Sequence, residues 1–368
     1  MNKLSKIKFN VIDYENLESL QNKFISTRNH TELLASKVRP EDQTPQSMED
    51  CSPLKWHRAH TTWFYEEVIL KKYDVNYTLF DESFSFLFNS YYESLGKRYP
   101  RKDRGLIIRP TVEEVTRYRK YVDELIVRLF QNIPKKHLES FVKLIKLGIA
   151  HEEQHIELLQ SDILNLYSKN KIVPIFFKNN KIKDIDKNQK WIHQKGGIFR
   201  IGLNSKNFSF DCEGPQHEVL IKPFQISSTL VTNKDWKDFI KCDGYNNPEM
   251  WLSDGWSFIR ENNINSPLYW INENEKWVNI TLSGKKEIND NHPVSHISFY
   301  EADAFARWSK KRLPTEFEWE FSAKNLSQKN NFKLYNFFGT LWQWTSSYFT
   351  PYPNYEPYSG SIGEYNGK

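Results

Sequence analysis

The stretch most capable of chemistry is His-Glu-Glu-Gln-His at residues 151–155, which has the H-E-x-x-H pattern of zinc metalloproteases. On a helix, His151 and His155 are four positions apart and share one face, close enough to bind one metal ion. Glu152 would then be the general base of a metalloprotease. The spacing predicts a metal site but leaves the metal and the reaction open.

The protease interpretation requires a third metal ligand near this motif. One extended pattern needs Gly at position 158 and His at position 161, where this chain has Leu158 and Ser161. Another takes a Glu from a following helix, but no Glu occurs between residues 157 and 213. Asp162 lies about 10 Å along the same helix from His155, at 1.5 Å per residue, and does not complete the site. We therefore expect the third ligand to come from elsewhere in the chain.

A second pair of histidines lies in Trp-His-Arg-Ala-His at residues 56–60. His57 and His60 are three positions apart on a predicted helix, so they point in similar but not identical directions. Metal sites in bundles form from inward side chains on facing helices, and three neutral imidazoles suit iron, zinc or copper. The alternative is that these histidines have only structural roles in the core or on the helix surface. This alternative is less favoured, because three or four histidines occur together on two helices.

Both histidine motifs belong to a first half that is predicted to be helical. Four runs with apolar residues at helical spacing predict a four-helix bundle. The second helix starts after Ser52 and Pro53, and the third at Thr111 with Glu114 as its capping-box partner. The connection at about residues 74–110 is long, and such connections are usually functional. We predict a bundle at residues 1–172 and a linker at residues 173–190.

Residues 191–368 have a different pattern, with short strand-like runs separated by Gly, Asn, Asp and Trp. This pattern predicts a domain that mixes helices and strands. A chain of 368 residues is also too long for one ordinary core. The predicted fold class is therefore multidomain, α followed by α+β.

Composition excludes several classes of function. The net charge of +5 is spread along the chain, without the dense Lys/Arg block of a nucleic-acid-binding arm. Three cysteines without a CxxC pair argue against a disulfide framework. The first residues lack the apolar segment of a signal peptide, and no apolar run is long enough to span a membrane. We expect a cytoplasmic protein with neither nucleic-acid nor membrane partners.

Segments from both halves carry a family resemblance. In the first half, residues 52–67, 89–105 and 151–164 resemble the DinB-like bundle of the sulfoxide synthases of ergothioneine biosynthesis. In the second half, residues 196–202, 210–219, 292–323 and 338–347 resemble the formylglycine-generating-enzyme-like domain, which has a C-type-lectin-related fold. The resemblance extends from about residue 15 to residue 368, and the order of the two domains makes it specific.

The resemblance implies a non-heme Fe(II) enzyme. Such an enzyme uses O2 to join a thiol to C2 of the imidazole of Nα-trimethylhistidine (hercynine) and leaves the sulfur as a sulfoxide. The thiol donor is γ-glutamylcysteine in some branches of the family and free cysteine in others. The expected small-molecule partners are therefore hercynine, O2 and one of these two thiols.

The resemblance also assigns residues. It implies that His60, His151 and His155 bind the iron, which leaves positions open for the reactants. His57 would then contact the site without binding metal, and the glutamates between the two ligands would lie off the metal-binding face. Gln154 matches a family position that contacts hercynine.

A proton donor is also needed, because otherwise the iron would simply dioxygenate the thiol. A tyrosine hydroxyl suits this role as a neutral donor. In the cysteine-using branch that tyrosine lies in the long connection, where this chain has Tyr91 and Tyr92. The position used by the other branch is Ile362 here. Free cysteine is thus favoured over γ-glutamylcysteine, and the alternative for the tyrosine pair is packing between domains.

Further substrate contacts are predicted from side-chain chemistry. Arginines in the long connection suit the carboxylate of the thiol substrate, although the chain offers several of them. Aromatic faces suit the trimethylammonium group of hercynine. The predicted substrate-binding residues, besides the glutamine, are Arg101, Arg104, Trp344 and Tyr365.

The end of the chain departs from the family pattern. The family continues beyond this point with an Arg-Gly-Gly stretch and closing strands, and Thr340 and Gln343 replace the usual Asn and Glu. We therefore expect an incomplete second domain, from a truncated copy or a two-chain system. The alternatives to an active enzyme are an inactive metal-binding remnant, an ovothiol-type synthase acting on histidine, and a zinc-dependent DinB-like thiol transferase.

Overall fold

The structure is a computed structural model that describes residues 16–90, 92–178, 182, 184–185, 190–204, 208–327 and 337–364. It divides into two compact units. The first is helical and the second contains helices and small sheets, so the predicted fold class is confirmed. Besides Met1–Lys169, the first unit includes Ser205–Asp211 and Pro357–Gly367. The bounds predicted for the domains stay a prediction.

In the part that the structure describes, the first unit is built mainly from four long helices. Their bounds are Leu17–Ala35 (α1), Leu54–Tyr65 (α2), Val112–Asn132 (α3) and Leu138–Ser168 (α4). Helix α2 continues through a π-helical turn, Glu66–Leu70, into Lys71–Tyr73. Helix α3 begins at the predicted capping box, in which Thr111 Oγ1 accepts from the Glu114 N–H at 3.2 Å and Glu114 Oε2 accepts from the Thr111 N–H at 2.7 Å.

Helix α2 packs against each of the other three helices of the bundle, α1, α3 and α4. All 12 of its residues are buried, including its two histidines. Buried polar groups need partners, so α2 is where a polar site is expected inside an otherwise apolar core. Gly148 permits the approach of α4 to α2, because a Cβ there would lie 2.6 Å from the Tyr65 ring. On α4, His151 follows Gly148 by about one turn and His155 by about two.

The connection between α2 and α3 contains the short helix Phe84–Leu87 and the 3-10 turns Glu93–Leu95 and Arg101–Leu106. Asn89 organises its central turn, because its amide donates to the carbonyls of Tyr92 at 2.9 Å and Gly96 at 3.1 Å. Two later segments also belong to this unit, and they pack Phe208, Phe210 and Ile362 against the core of the bundle.

The described residues of the second unit form three small antiparallel sheets and four α-helices. Its strands are Trp191–Gln194 (β1), Gly197–Ile201 (β2), His217–Ile221 (β3), Phe224–Ser227 (β4), Trp270–Glu273 (β5), Lys276–Thr281 (β6) and Gly284–Glu287 (β7). Strand β1 pairs with β4, β2 pairs with β3, and β5, β6 and β7 form a meander. Its helices are Asn233–Lys241 (α5), Ser253–Glu261 (α6), Phe299–Trp308 (α7) and Glu316–Ser327 (α8).

Among its described residues, two apolar clusters contribute to the core of the second unit. One, around Trp236, Phe239 and Trp270, packs α5 and α7. The other, around Ile201, Phe224 and Phe321, packs β2, β3 and β4 against α8. Within the described part of the chain, every helix is too short or too polar to cross a membrane.

Candidate metal centre in the helical bundle

Three buried histidines converge at the contact between α2 and α4. His60 comes from α2, His151 and His155 come from α4, and one ring nitrogen from each lies within 4.8 Å of the others. The Nε2 atoms of His60 and His151 are 3.1 Å apart. Two nitrogens bound at right angles to one ion at 2.1 Å would be about 3.0 Å apart, so this spacing fits a shared metal ion.

The surroundings of His60 fix its ring and its tautomer. Its Nδ1 lies 2.6 Å from the carbonyl oxygen of Phe88, which only accepts hydrogen bonds. The proton is therefore on Nδ1, and the lone pair of Nε2 is free to bind a metal. The ring is stacked between Trp56 and Trp63, at centroid distances of 4.5 and 5.5 Å. This side chain is held in the orientation that a ligand requires.

Burial keeps all three histidines neutral at physiological pH. The pKa of His151 is lowered to about 3, chiefly by burial and to a smaller extent by the nearby His57, against an opposing effect of Glu152. Burial also holds the pKa values of His60 and His155 well below the ordinary histidine value, with the other imidazoles adding to the effect. Neutral imidazole is the form that binds metal ions. The cluster therefore needs little proton release to accept a cation.

The lowered pKa values predict that the metal-free protein loses stability in acid. Unfolded histidines titrate near pH 6.5, whereas His151 in the folded chain takes up its proton only near pH 3. The unfolded state therefore binds more protons between these values, and stability falls as pH drops below about 6.5. Urea unfolding of the apo protein from pH 8 to pH 5 should show this decline. A His151→Phe variant should show a smaller decline in stability over this pH range. A decline equal to that of the wild type would contradict the view that buried, neutral His151 causes it.

His57 does not belong to the converging group. Its Nδ1 lies 2.9 Å from Nδ1 of His155, and its Nε2 lies 2.9 Å from Oδ2 of Asp162. Sequence reasoning set Asp162 aside as a metal ligand and missed this contact. The available signal was that Asp162 follows His155 by two helical turns, on the face that α2 covers.

Glu152, the general base of the protease interpretation, points into a different network. Its carboxylate accepts from Arg28 at 2.8 Å, Arg119 at 2.9 Å and Thr31 at 2.7 Å, and it is fully buried. Burial alone would raise its pKa, but the two guanidinium groups lower the pKa to about 2. Both carboxylate oxygens are therefore engaged in ion pairs. Of the two glutamates, only Glu153 is exposed.

The two arginines predicted to bind substrate differ in environment. Arg104 is buried, donates to Ser52 Oγ at 2.9 Å and Ser90 Oγ at 3.1 Å, and lies 3.4 Å from the centroid of the Trp56 ring. Because Trp56 stacks on His60, this guanidinium is one ring away from the histidine cluster. Arg101 is exposed and donates to the carbonyl of Asp50.

Tyr92 lies in the core of the bundle, fully buried. Its ring packs on Trp63 at 5.5 Å and Phe64 at 6.3 Å. Those two rings in turn pack on His60 and His151, so Tyr92 forms a second layer around the cluster. Its predicted partner Tyr91 lies outside the described residues.

The other predicted substrate contacts are not brought together by what the structure describes. Gln154 precedes His155 on α4 and is exposed. Trp344 belongs to the second unit, where its indole N–H donates to the carbonyl of Ile297 at 3.0 Å. Tyr365 lies outside the described residues.

Comparisons with known proteins agree with the sequence resemblance. Residues 178–333 match the model of the sulfatase-modifying factor enzyme 1-like domain. A hercynine oxygenase from Mycolicibacterium smegmatis is 38% identical over 127 residues, which cover 34% of this chain and 29% of the relative. A formylglycine-generating enzyme from Thermomonospora curvata is 34% identical over 144 residues, covering 35% of this chain and 46% of the relative.

A third relative, the inactive C-alpha-formylglycine-generating enzyme 2 of Mus musculus, is 29% identical over 220 residues, covering 44% of this chain and 69% of the relative. The chain spans less than a third of the length of the hercynine oxygenase that it matches. Enzymes are thus prominent among the relatives, and the predicted resemblance, a helical bundle followed by this domain, is confirmed.

Proposed function

We propose that this chain, which joins a helical bundle to a sulfatase-modifying factor enzyme 1-like domain, is an Fe(II)-dependent enzyme that forms a carbon–sulfur bond. Its substrates would be hercynine, O2 and cysteine, with γ-glutamylcysteine as the second candidate thiol. The observation that carries the proposal is the convergence of His60, His151 and His155 between α2 and α4. The relatives named hercynine oxygenase support the choice of substrate.

The three histidines fit an iron centre of this type. All are neutral nitrogen donors, one from α2 and two from α4, and their ring atoms are close enough to share one ion. Iron bound there would supply the redox chemistry with O2, since three protein ligands leave coordination positions open. The protein's part is to hold the imidazoles in one orientation and to exclude bulk water. The buried rings of Trp56, Trp63 and Phe64 do this on the sides that they cover.

The proposed reaction balances without an added reductant. The thiol loses its S–H hydrogen, C2 of the imidazole loses its C–H hydrogen, and a carbon–sulfur bond forms between them. One oxygen atom of O2 becomes the sulfoxide oxygen, and the other leaves as water with the two hydrogens. The four electrons that reduce O2 therefore come from the two substrates. The reaction further requires a protein group that donates a proton close to the reacting oxygen and sulfur atoms.

Residues of the long connection are proposed to bind the thiol substrate. Arg101 carries an exposed guanidinium suited to a carboxylate, and Arg104 adds a buried positive charge one ring from the cluster. Gln154, Trp344 and Tyr365 are proposed to contact hercynine, the aromatic rings by facing its trimethylammonium group. We further propose a cytoplasmic location and domain limits of 1–172 and 191–368, with a linker at 173–190.

Tyr91 and Tyr92 are proposed as the source of the proton, and each can be tested by removing its hydroxyl. For the residue that donates, substitution by Phe should lower sulfoxide synthesis by about 10²–10⁴-fold, the usual contribution of a general acid. Oxidation of the thiol alone to its sulfinate should then rise. Mass spectrometry of both products for Tyr91→Phe and Tyr92→Phe separates the donor from its neighbour. Unchanged product ratios in both variants would exclude the pair.

The experiment for the function uses the full chain, purified without oxygen and loaded with Fe(II). Hercynine is supplied with cysteine and, separately, with γ-glutamylcysteine, while O2 uptake is recorded and sulfoxide is identified by mass spectrometry. A sulfoxide with either thiol supports the proposal and identifies the donor. Replacing hercynine by histidine tests the ovothiol-type reaction in the same assay.

Two negative outcomes would replace the proposal by other functions. Bound iron with neither O2 uptake nor product would indicate an inactive metal-binding protein or a part of a larger enzyme. Zinc bound on isolation, with thiol transfer but no O2 uptake, would indicate a zinc-dependent thiol transferase. The metal content of the isolated protein should therefore be measured before iron is added.

A further inference from the structure

We propose that Asp162 and His57 act together as a positioning pair that fixes the ring orientation and the tautomer of His155. This inference deepens the proposed function and rests on its metal centre. Neither residue is a member of the converging group of three. Their role would be to present His155 as a ready metal ligand, by hydrogen bonding to the ring nitrogen on its other side.

The geometry of the pair is a continuous chain of hydrogen bonds between α2 and α4. Nδ1 of His155 lies 2.9 Å from Nδ1 of His57, and Nε2 of His57 lies 2.9 Å from Oδ2 of Asp162. Both imidazoles are buried, and the carboxylate is largely covered, with 16% of its side chain exposed. The contacts cross from one helix to the other twice, so each ring is held by the helix that faces it.

Hydrogen-bond chemistry then orders the protons along the chain. Because Nδ1 of His155 is turned toward His57, a bound metal ion would take the lone pair of Nε2, and the ring's remaining proton would be on Nδ1. This N–H donates to Nδ1 of His57, which must therefore accept, so the proton of His57 is on Nε2. Asp162 accepts that N–H, because a carboxylate only accepts. One arrangement of protons satisfies all three groups, and it leaves the lone pair of His155 aimed at the metal.

A second contact holds the carboxylate itself. Oδ2 of Asp162 also accepts the backbone N–H of Ser52, at 2.8 Å, just before the start of α2. The Trp56 ring packs near both imidazoles, at centroid distances of 5.8 Å from His57 and 6.2 Å from His155. The hydrogen-bond chain is therefore held at its carboxylate end by the backbone just before α2, and outer partners of this kind commonly orient metal-binding histidines.

The test measures Fe(II) affinity, by anaerobic competition with a chromophoric chelator, in a graded series of variants. His57→Phe keeps a ring but removes both hydrogen bonds, and should weaken Fe(II) binding about 10–100-fold. His57→Asn restores an acceptor near the position of Nδ1 and should recover part of the loss. Asp162→Asn removes the charge at the end of the chain and should weaken binding less than His57→Phe. His137→Phe, a histidine of the same unit packed against Tyr73, is the matched control.

A second measurement does not depend on any variant folding. In the wild-type protein loaded with diamagnetic Zn(II), ¹⁵N NMR of labelled histidines reads the protonated nitrogen of each ring. We expect His155 protonated on Nδ1 and His57 on Nε2. A His57 protonated on Nδ1, or a His57→Phe variant that binds Fe(II) as the wild type does, overturns the inference. Failure of the wild type itself to bind any metal would instead overturn the proposed function.

Discussion

Substitution of His151 by alanine is expected to remove Fe(II) binding and, with it, sulfoxide formation. The residue supplies one of three converging nitrogens, and its Nε2 lies 3.1 Å from that of His60. Two histidine ligands would remain, and the affinity for Fe(II) should fall by much more than about 10–100-fold. That is the loss typical when a hydrogen-bond partner of a ligand is removed. His60→Ala and His155→Ala should have effects of the same size, because each residue supplies one ligand atom.

The measurement is bound iron per chain after anaerobic dialysis, together with product formation. His137→Ala is a suitable control, since it removes an imidazole of the same bundle outside the converging group. Thermal unfolding of the apo protein shows whether each variant folds. Full iron content in any one of the three ligand variants would show that its residue is not a ligand.

The second large effect is expected on stability. Glu152→Ala should lower the free energy of unfolding by about 3 kcal/mol, at the lower end of the range for breaking a buried ion pair, because it leaves two buried guanidinium groups undercompensated. Arg28 keeps its contact with Asp123 at 2.7 Å, and Arg119 keeps Glu32 at 2.7 Å, which limits the loss. Urea unfolding at pH 7 measures the difference.

The neighbouring residue supplies the control. Glu153 is exposed and pairs with Lys23, so Glu153→Ala should change stability by only about 0–1 kcal/mol. The contribution of Glu152 should also depend on pH in a defined direction. Its folded pKa of about 2 lies below the ordinary value of about 4.3, so its contribution is complete above pH 4.3 and is lost as pH falls toward 2. Equal losses for the two alanine variants would contradict the buried network.

These two expectations separate residues that are adjacent in the H-E-x-x-H motif. The motif alone suggests one catalytic unit, with histidines as ligands and the glutamate as base. In the structure His151 faces α2 and the other imidazoles, whereas Glu152 faces Arg28 and Arg119. A difference of 100° per residue around a helix is enough to divide their roles. Loss of activity in a Glu152→Gln variant should therefore be compared with its loss of stability before Glu152 is given a role in catalysis.

Several features of this protein follow from its sequence alone. Apolar periodicity predicted the four helices of the bundle, and the capping box at Thr111 predicted the start of α3, because both signals act over a few residues. The spacing of His151 and His155 placed them on one helix face for the same reason. The change of pattern after about residue 190 predicted the second, mixed unit.

The tertiary structure decided the contacts that join distant segments. Only the packing of α2 on α4 brings His60 to His151, and His57 to both His155 and Asp162. The packing of α1 and α3 against α4 likewise buries Glu152 between Arg28 and Arg119. The fold of the long connection places Arg104 on the ring of Trp56. Sequence periodicity gives the face of each helix but not its partner, since hydrogen bonds and ion pairs between helices depend on their separation and rotation. Short sequence segments therefore determine the helices, whereas the metal site forms only where α2 and α4 pack together.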